Sequence, residues 1–194
     1  LRDTVEKEAK IDLPNREYAV LTLHRPSNVD ERQTFKKILS ALAEVAHKIP
    51  IVFPCHPRTR QRIQGFGLET FFTPIDRELS LSSLDSTIAL LEPLGYFEFL
   101  KLMAHAKLVL TDSGGIQEET TILGVPCFTL RQNTERPVTL TDGTNTLVGT
   151  DPEKIITEVL NTLNGKGKKG TRPILWDGRA AERIVKILYH IMES

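Results

Sequence analysis

The sequence predicts an α/β domain built on a parallel β-sheet with helices on both faces. Short apolar runs alternate with stretches of helical spacing at intervals of roughly 20–30 residues. The runs are apolar throughout, as strands covered on both faces are. Polar clusters follow four of them directly: His24-Arg25, His56-Pro57-Arg58, Asp112-Ser113-Gly114-Gly115 and Arg131 to Arg136. In a parallel sheet all four fall on the edge made by the carboxyl ends of the strands, where ligands bind.

In order, Leu1 to Lys10 is charged, with weak helical spacing, and closes at Asp12-Leu13-Pro14-Asn15. Residues 1–14 therefore read as a linker or helical tail and residues 15–194 as the domain. Tyr18 to Leu23 is the first strand. Glu31 to Lys48 places Phe35, Ile38, Leu39, Leu42, Val45 and Ala46 on one helical face. Pro50 to Cys55 is the second strand, and a helix through Arg62 and Ile63 stops near Gly65 and Gly67. Leu68 to Ser86 reads as a helical turn plus loop. Thr87 to Leu91 is the third strand, followed by a helix over Tyr96 to Ala106 with Phe99, Leu102 and Met103 inward. Lys107 to Thr111 is the fourth strand and Ile116 to Leu123 its helix; Pro126 to Leu130 and Thr146 to Val148 are the fifth and sixth strands. Asp151 caps a helix over Pro152 to Leu163, with Pro152 at its first position. Gly165 to Gly170 reads as a flexible, solvated loop, although its lysines also suit a phosphate. An amphipathic helix over Arg179 to Met192 closes the chain.

Composition narrows the function. Lys plus Arg and Asp plus Glu both number 25, giving a formal charge of zero. That argues against a nucleic-acid or anionic-membrane surface as the main business of the chain. No apolar run is long enough to span a bilayer and no signal peptide is visible. Cys55 and Cys127 lie at the ends of apolar runs and read as small buried residues in a reducing compartment, the cytoplasm. No His, Cys and carboxylate spacing fits a zinc site. The start at Leu1, without Met, suggests a piece of a longer protein.

The stretch around which the rest is organised is Leu108 to Thr120. A buried strand breaks into Asp112-Ser113-Gly114-Gly115 and then into a helix. The Ser113 hydroxyl is placed to cap that helix, and two residues without Cβ let a ligand approach the backbone. A helix start with unpaired N–H groups suits a phosphate. The turn has neither the GxGxxG spacing of a dinucleotide fold nor the lysine of a P-loop. Glu119, about one turn further on, is placed to reach a diol on a ligand whose phosphate sits at Ser113. The same residues would equally make a plain capped turn with two solvated glutamates. His24 suits an acid, a base or a phosphate donor, or a structural histidine. His56 is read on the same edge, with Pro57 stiffening its loop. Arg136 suits a carboxylate or a diphosphate, or an ion pair that holds its loop shut. Phe99 suits a base or the core. His47, His105 and His190 read as surface or packing residues on helices.

Thr111-Asp112-Ser113-Gly114-Gly115-Ile116-Gln117-Glu118-Glu119, Gly124-Val125-Pro126, Thr134-Glu135-Arg136-Pro137, and Gly143 with Leu147-Val148-Gly149 form a specific pattern. Together with Pro93 to Leu100, His24-Arg25 and Asn28, they closely resemble the non-hydrolysing UDP-N-acetylglucosamine 2-epimerases. The likeness covers only the C-terminal domain of that family, from about Leu13 to Gly149. It implies a Rossmann-like domain, the C-terminal half of a two-domain glycosyltransferase-B architecture, with residues 1–14 the tail of the missing N-terminal domain. It further implies that Ser113, Gly114 and Gly115 hold the diphosphate of a UDP-sugar and Glu119 its ribose. Arg136 and Phe99 would line the nucleotide side, and His24 would lie by the leaving phosphate. The implied chemistry is loss of UDP to give 2-acetamidoglucal and re-addition to the other face, with no cofactor. The carboxylate acid and base belong to the missing domain, so this chain alone should bind without turnover. A homodimer, a role in cell-envelope polysaccharide supply, and His56 as a contact to a second, activating UDP-N-acetylglucosamine are also implied. The family's His-Arg-x-Glu-Asn run reads His24-Arg25-Pro26-Ser27-Asn28 here, and Leu68 to Ser86 looks longer than usual. Two other classes fit the residues: a glycosyltransferase of the same architecture, and a non-catalytic nucleotide-sugar sensor.

Overall fold

The computed structural model describes residues 2–74, 84 and 86–193. Its strands are β1 (Ala19–Thr22), β2 (Ile51–Pro54), β3 (Phe72–Pro74), β4 (Ile88–Leu91), β5 (Leu108–Thr111), β6 (Cys127–Thr129) and β7 (Asn145–Leu147). They pair in parallel throughout, in the order β3-β4-β2-β1-β5-β6-β7. Setting the short edge strand β3 aside, the chain starts at the centre and runs out to one side. It then returns to β5 on the other side of β1 and runs out again. This is the doubly wound, Rossmann-like order, and its switch point lies between β1 and β5.

Alternate strand residues point to opposite faces, and two cores result. Leu21, Phe53, Leu110 and Phe128 pack under α3 (Arg32–Ala46) and α8 (Pro152–Leu163). Val20, Val52 and Val109 pack under α5 (Tyr96–Ala104) on the other face. The expected amphipathic helix at α3 buries Phe35, Ile38, Leu39, Leu42, Val45 and Ala46, and its first turn is capped by the Glu31 carboxylate. Cys55 and Cys127 are buried free thiols, both pushed up to about 12 by burial. The N-terminal segment packs onto the second core: α1 (Arg2–Glu8) lies along α5 with Val5 fully buried.

Three expectations need correction. Residues 68–74 hold a 3-10 turn (Glu69–Phe71) followed by β3, so the segment carries an edge strand where loop was expected. Phe72 anchors it against Phe53, with ring centroids 6.1 Å apart. Residues 75–83 and 85 of that segment lie outside the described residues. Two short helices, α2 (Pro26–Val29) and α7 (Pro137–Thr141), also occupy stretches read as loop. The Gly165 to Gly170 run is fastened down. Lys168 donates to the carbonyls of Leu140 and Asn145, the latter at 3.0 Å, and Gly170 lies so close to the Gly143 backbone that no Cβ fits. The final helix, α9 (Ala180–Met192), forms as expected but buries none of its side chains, with Ile184, Leu188 and Ile191 all more than half exposed.

Candidate functional site

The site is assembled at the switch point, where the loops after β1 and β5 meet. Asp112 directly follows β5, is fully buried, and its carboxylate gathers the β1 loop around itself. It accepts hydrogen bonds from the backbone N–H of His24 (3.1 Å) and Arg25 (2.9 Å) and from Asn28 Nδ2 (3.1 Å). Its other oxygen lies 3.0 Å from His24 Nδ1. Asn28 also donates to the Leu130 carbonyl at 2.9 Å, which ties in the end of β6. A carboxylate beside Nδ1 requires the proton there, so the neutral His24 ring presents Nε2 as its free nitrogen. His24 is half exposed, while the group that orients it is not.

Across from His24 begins α6 (Gly114–Leu123), with Ser113 at its cap position. The expected cap does not form: the Ser113 hydroxyl makes no capping hydrogen bond. Other groups shape the turn instead. The Thr111 hydroxyl accepts from Ser113 N–H at 3.0 Å and is itself 2.7 Å from the Thr22 hydroxyl across the β1–β5 pair. Buried Gln117 donates to the Ser113 carbonyl at 3.1 Å, and its own oxygen accepts from Thr134 (2.6 Å) and Asn145 (3.1 Å). The first turn of α6 thus lacks a side-chain acceptor, the state in which a helix start attracts an anion. A Cβ added at Gly115 would meet nothing within 4 Å; at Gly114 it would meet only Glu135 Oε2, at 3.8 Å.

Glu119 is half buried on α6. Burial pushes its carboxyl above the usual carboxylate range, and Tyr96 donates a hydrogen bond to it at 3.4 Å, which opposes that shift. Arg136 Nε pairs with Glu118 Oε1 at 3.0 Å, so the reading in which an ion pair fixes this loop describes the resting contact. Phe99 is partly buried and packs against the second core; the aromatics that α5 exposes are Tyr96 and Phe97, stacked edge-on at 5.6 Å. His56 caps α4 (Pro57–Gly65), its Nδ1 accepting from Arg58 N–H at 3.2 Å. Sequence reasoning passed over the organising role of Asp112 and Asn28, and over Tyr96 and Arg131. The signal for the first was an aspartate closing an apolar run, which reads as ordinary turn chemistry. Among the described residues no three metal-ligating side chains come together, and no helix is long and apolar enough to cross a membrane.

The family described as UDP-N-acetylglucosamine 2-epimerase matches residues 1–189. The chain belongs to that family. The UDP-N-acetylglucosamine 2-epimerase of Methanocaldococcus jannaschii is 44% identical over 174 residues, which cover 89% of this chain and 44% of the relative. That of Methanococcus maripaludis is 40% identical over 179 residues, covering 90% and 45%. The crystal structure of the Methanocaldococcus enzyme in complex with UDP-GlcNAc and UDP superposes with a TM-score of 0.73 at 39% identity, over 97% of this chain and 48% of that one. The chain spans about half the length of the curated relatives it matches. In this epimerase-family domain, the turn Asp112 to Gly115 and the loop at His24 hold the centre of the edge where doubly wound sheets bind ligands.

Proposed function

We propose that this chain is the nucleotide-binding half of a UDP-N-acetylglucosamine 2-epimerase, which interconverts UDP-N-acetylglucosamine and UDP-N-acetylmannosamine. The supporting observation is the pairing at the switch point: an uncapped helix start follows directly on the buried aspartate that holds His24 in one tautomer. The Ser113 hydroxyl and the N–H groups of Gly114 and Gly115 receive the diphosphate, and the Glu119 carboxylate accepts from the ribose hydroxyls. Phe99 and Arg136 line the nucleotide side. In the reaction the C1–O bond breaks and its electron pair goes to the β-phosphate oxygen, while a base removes the C2 proton. Protonated His24 donates from Nε2 to that oxygen, and Asp112 steadies the imidazolium. Return of UDP to C1 with a proton delivered to the opposite face of C2 completes the inversion, and no nicotinamide takes part. The carboxylates that move the C2 proton come from the other half of the protein, so these 194 residues alone bind and do not turn over. The whole protein works in the cytoplasm as a homodimer, with His56 touching a second, activating UDP-N-acetylglucosamine.

The test is incubation of the full-length protein with UDP-N-acetylglucosamine in deuterated water without an acceptor. Deuterium at C2 is expected. Sugar transfer that requires an acceptor, with no exchange at C2, would point to a glycosyltransferase; UDP binding with neither would point to a sensor.

A further inference from the structure

We propose that Arg131 is a guanidinium of the diphosphate site and that Glu135 is its resting counter-ion, seated on the α6 turn until nucleotide displaces it. The inference rests on the nucleotide-site reading above and concerns how that site is kept when empty of ligand.

Arg131 leaves the end of β6, the strand next to β5, and its side chain is only 12% exposed. Both terminal nitrogens donate to the Glu135 carboxylate, at 3.0 and 2.7 Å, and Nη2 also donates to Asn133 Oδ1 at 3.2 Å. This two-pronged arrangement is the one a guanidinium makes with a carboxylate or a phosphate alike. The carboxylate lies over the helix start, with Oε2 the nearest atom to the position of a Cβ on Gly114, at 3.8 Å. Arg131 holds the Glu135 carboxyl down to about 2, and the charge of Arg25 adds to this, so it stays ionised at any physiological pH. A fixed negative charge therefore stands where the open turn would receive an anion.

Exposure decides which partner moves. Glu135 is 57% exposed and hangs on a loop, whereas Arg131 is largely enclosed. When a diphosphate arrives, Glu135 swings into solvent and the guanidinium transfers its two hydrogen bonds to phosphate oxygens. No bond to carbon or phosphorus forms or breaks in this exchange. When UDP leaves, the carboxylate returns, so Arg131 and the helix start are never left facing each other without an anion. The carboxylate thereby weakens resting affinity for UDP and speeds its release.

The experiment is calorimetric titration of wild-type protein, Glu135→Gln, Arg131→Gln and the double variant with UDP and with uridine. Glu135 is exposed, so its amide variant folds. Glu135→Gln is expected to tighten UDP by about two- to fivefold, the size of one exposed ionic competitor, and to leave uridine unchanged. Arg131→Gln is expected to weaken UDP while sparing uridine, and in its background the gain from Glu135→Gln disappears. UDP affinity unchanged or weakened by Glu135→Gln, in a protein that binds UDP, overturns the exchange and leaves the nucleotide site standing. Absence of UDP binding to wild type overturns both.

Discussion

His24 and Asp112 meet across the switch point of the sheet: the ring Nδ1 lies 3.0 Å from a carboxylate oxygen that no solvent reaches. One buried aspartate thus sets both the path of the β1 loop, through two backbone N–H groups, and the orientation of the imidazole.

Asp112→Asn keeps the shape and removes the charge. An amide offers one acceptor oxygen where four donors converge, and its own NH2 would face N–H groups. A loss of about 2–4 kcal/mol in urea unfolding is expected, along with loss of epimerisation in the full-length protein. A variant with wild-type stability would show that the carboxylate is not what holds the two loops.

His24→Ala separates chemistry from folding. The ring is half exposed, so stability should change by less than about 1 kcal/mol. Under the proposed acid role of His24, turnover by full-length protein should fall by about 100-fold or more, the usual weight of a positioned acid, with UDP affinity changed far less.

Glu119 carries a pH signature. Its folded carboxyl is raised above the ordinary value of 4.5, chiefly by burial. The native state then holds a proton that the unfolded chain has already released, so stability falls as pH rises from 4.5 through the raised value. Glu119→Gln is expected to remove that slope from a series of melting curves, and to cost UDP affinity above it.

Two glycines should behave in opposite ways. Gly115→Ala places its methyl in open space, so Tm should hold while UDP affinity drops. Gly143→Ala would put a Cβ 2.8 Å from the Thr139 carbonyl oxygen and against the Thr121 side chain, and should cost about 1–3 kcal/mol in the same melts.

Lys168→Met tests the fastened Gly-rich loop. The ammonium donates to carbonyls of Thr139, Leu140 and Asn145, and burial lowers its pKa. Losing those bonds should cost about 1–2 kcal/mol, or a Tm drop of about 2–8 °C at this size.

The sheet was legible because strands covered on both faces are apolar at every position, as Leu108-Val109-Leu110 is, and because the ligand edge follows from strand direction. Edge strand β3 was not: three residues ending in Pro74 carry too little pattern, and Phe72 finds its partner only in the folded state. Ser113 looked like a cap, but capping is a matter of rotamer, and Thr111 and Gln117 had already shaped the turn. The grip of Lys168 on α7 and β7 joins residues 23 to 29 positions apart, which local spacing does not register. The residues of the helix start were therefore readable one by one, while the groups that hold them in place, Asp112, Asn28 and Gln117, emerge only from tertiary contacts.

The hydrogen bonds of Asp112 to the β1 loop span 84 to 88 residues, and that distance along the chain has a kinetic meaning. No local fragment can build the proposed anion cradle, because its two walls come together only when β5 docks beside β1. Closing so long a loop is a late, slow event in folding. Partly folded chains should therefore have no affinity for nucleotide, and UDP, by binding the native state alone, should act as a folding ligand that raises the midpoint of unfolding with its concentration.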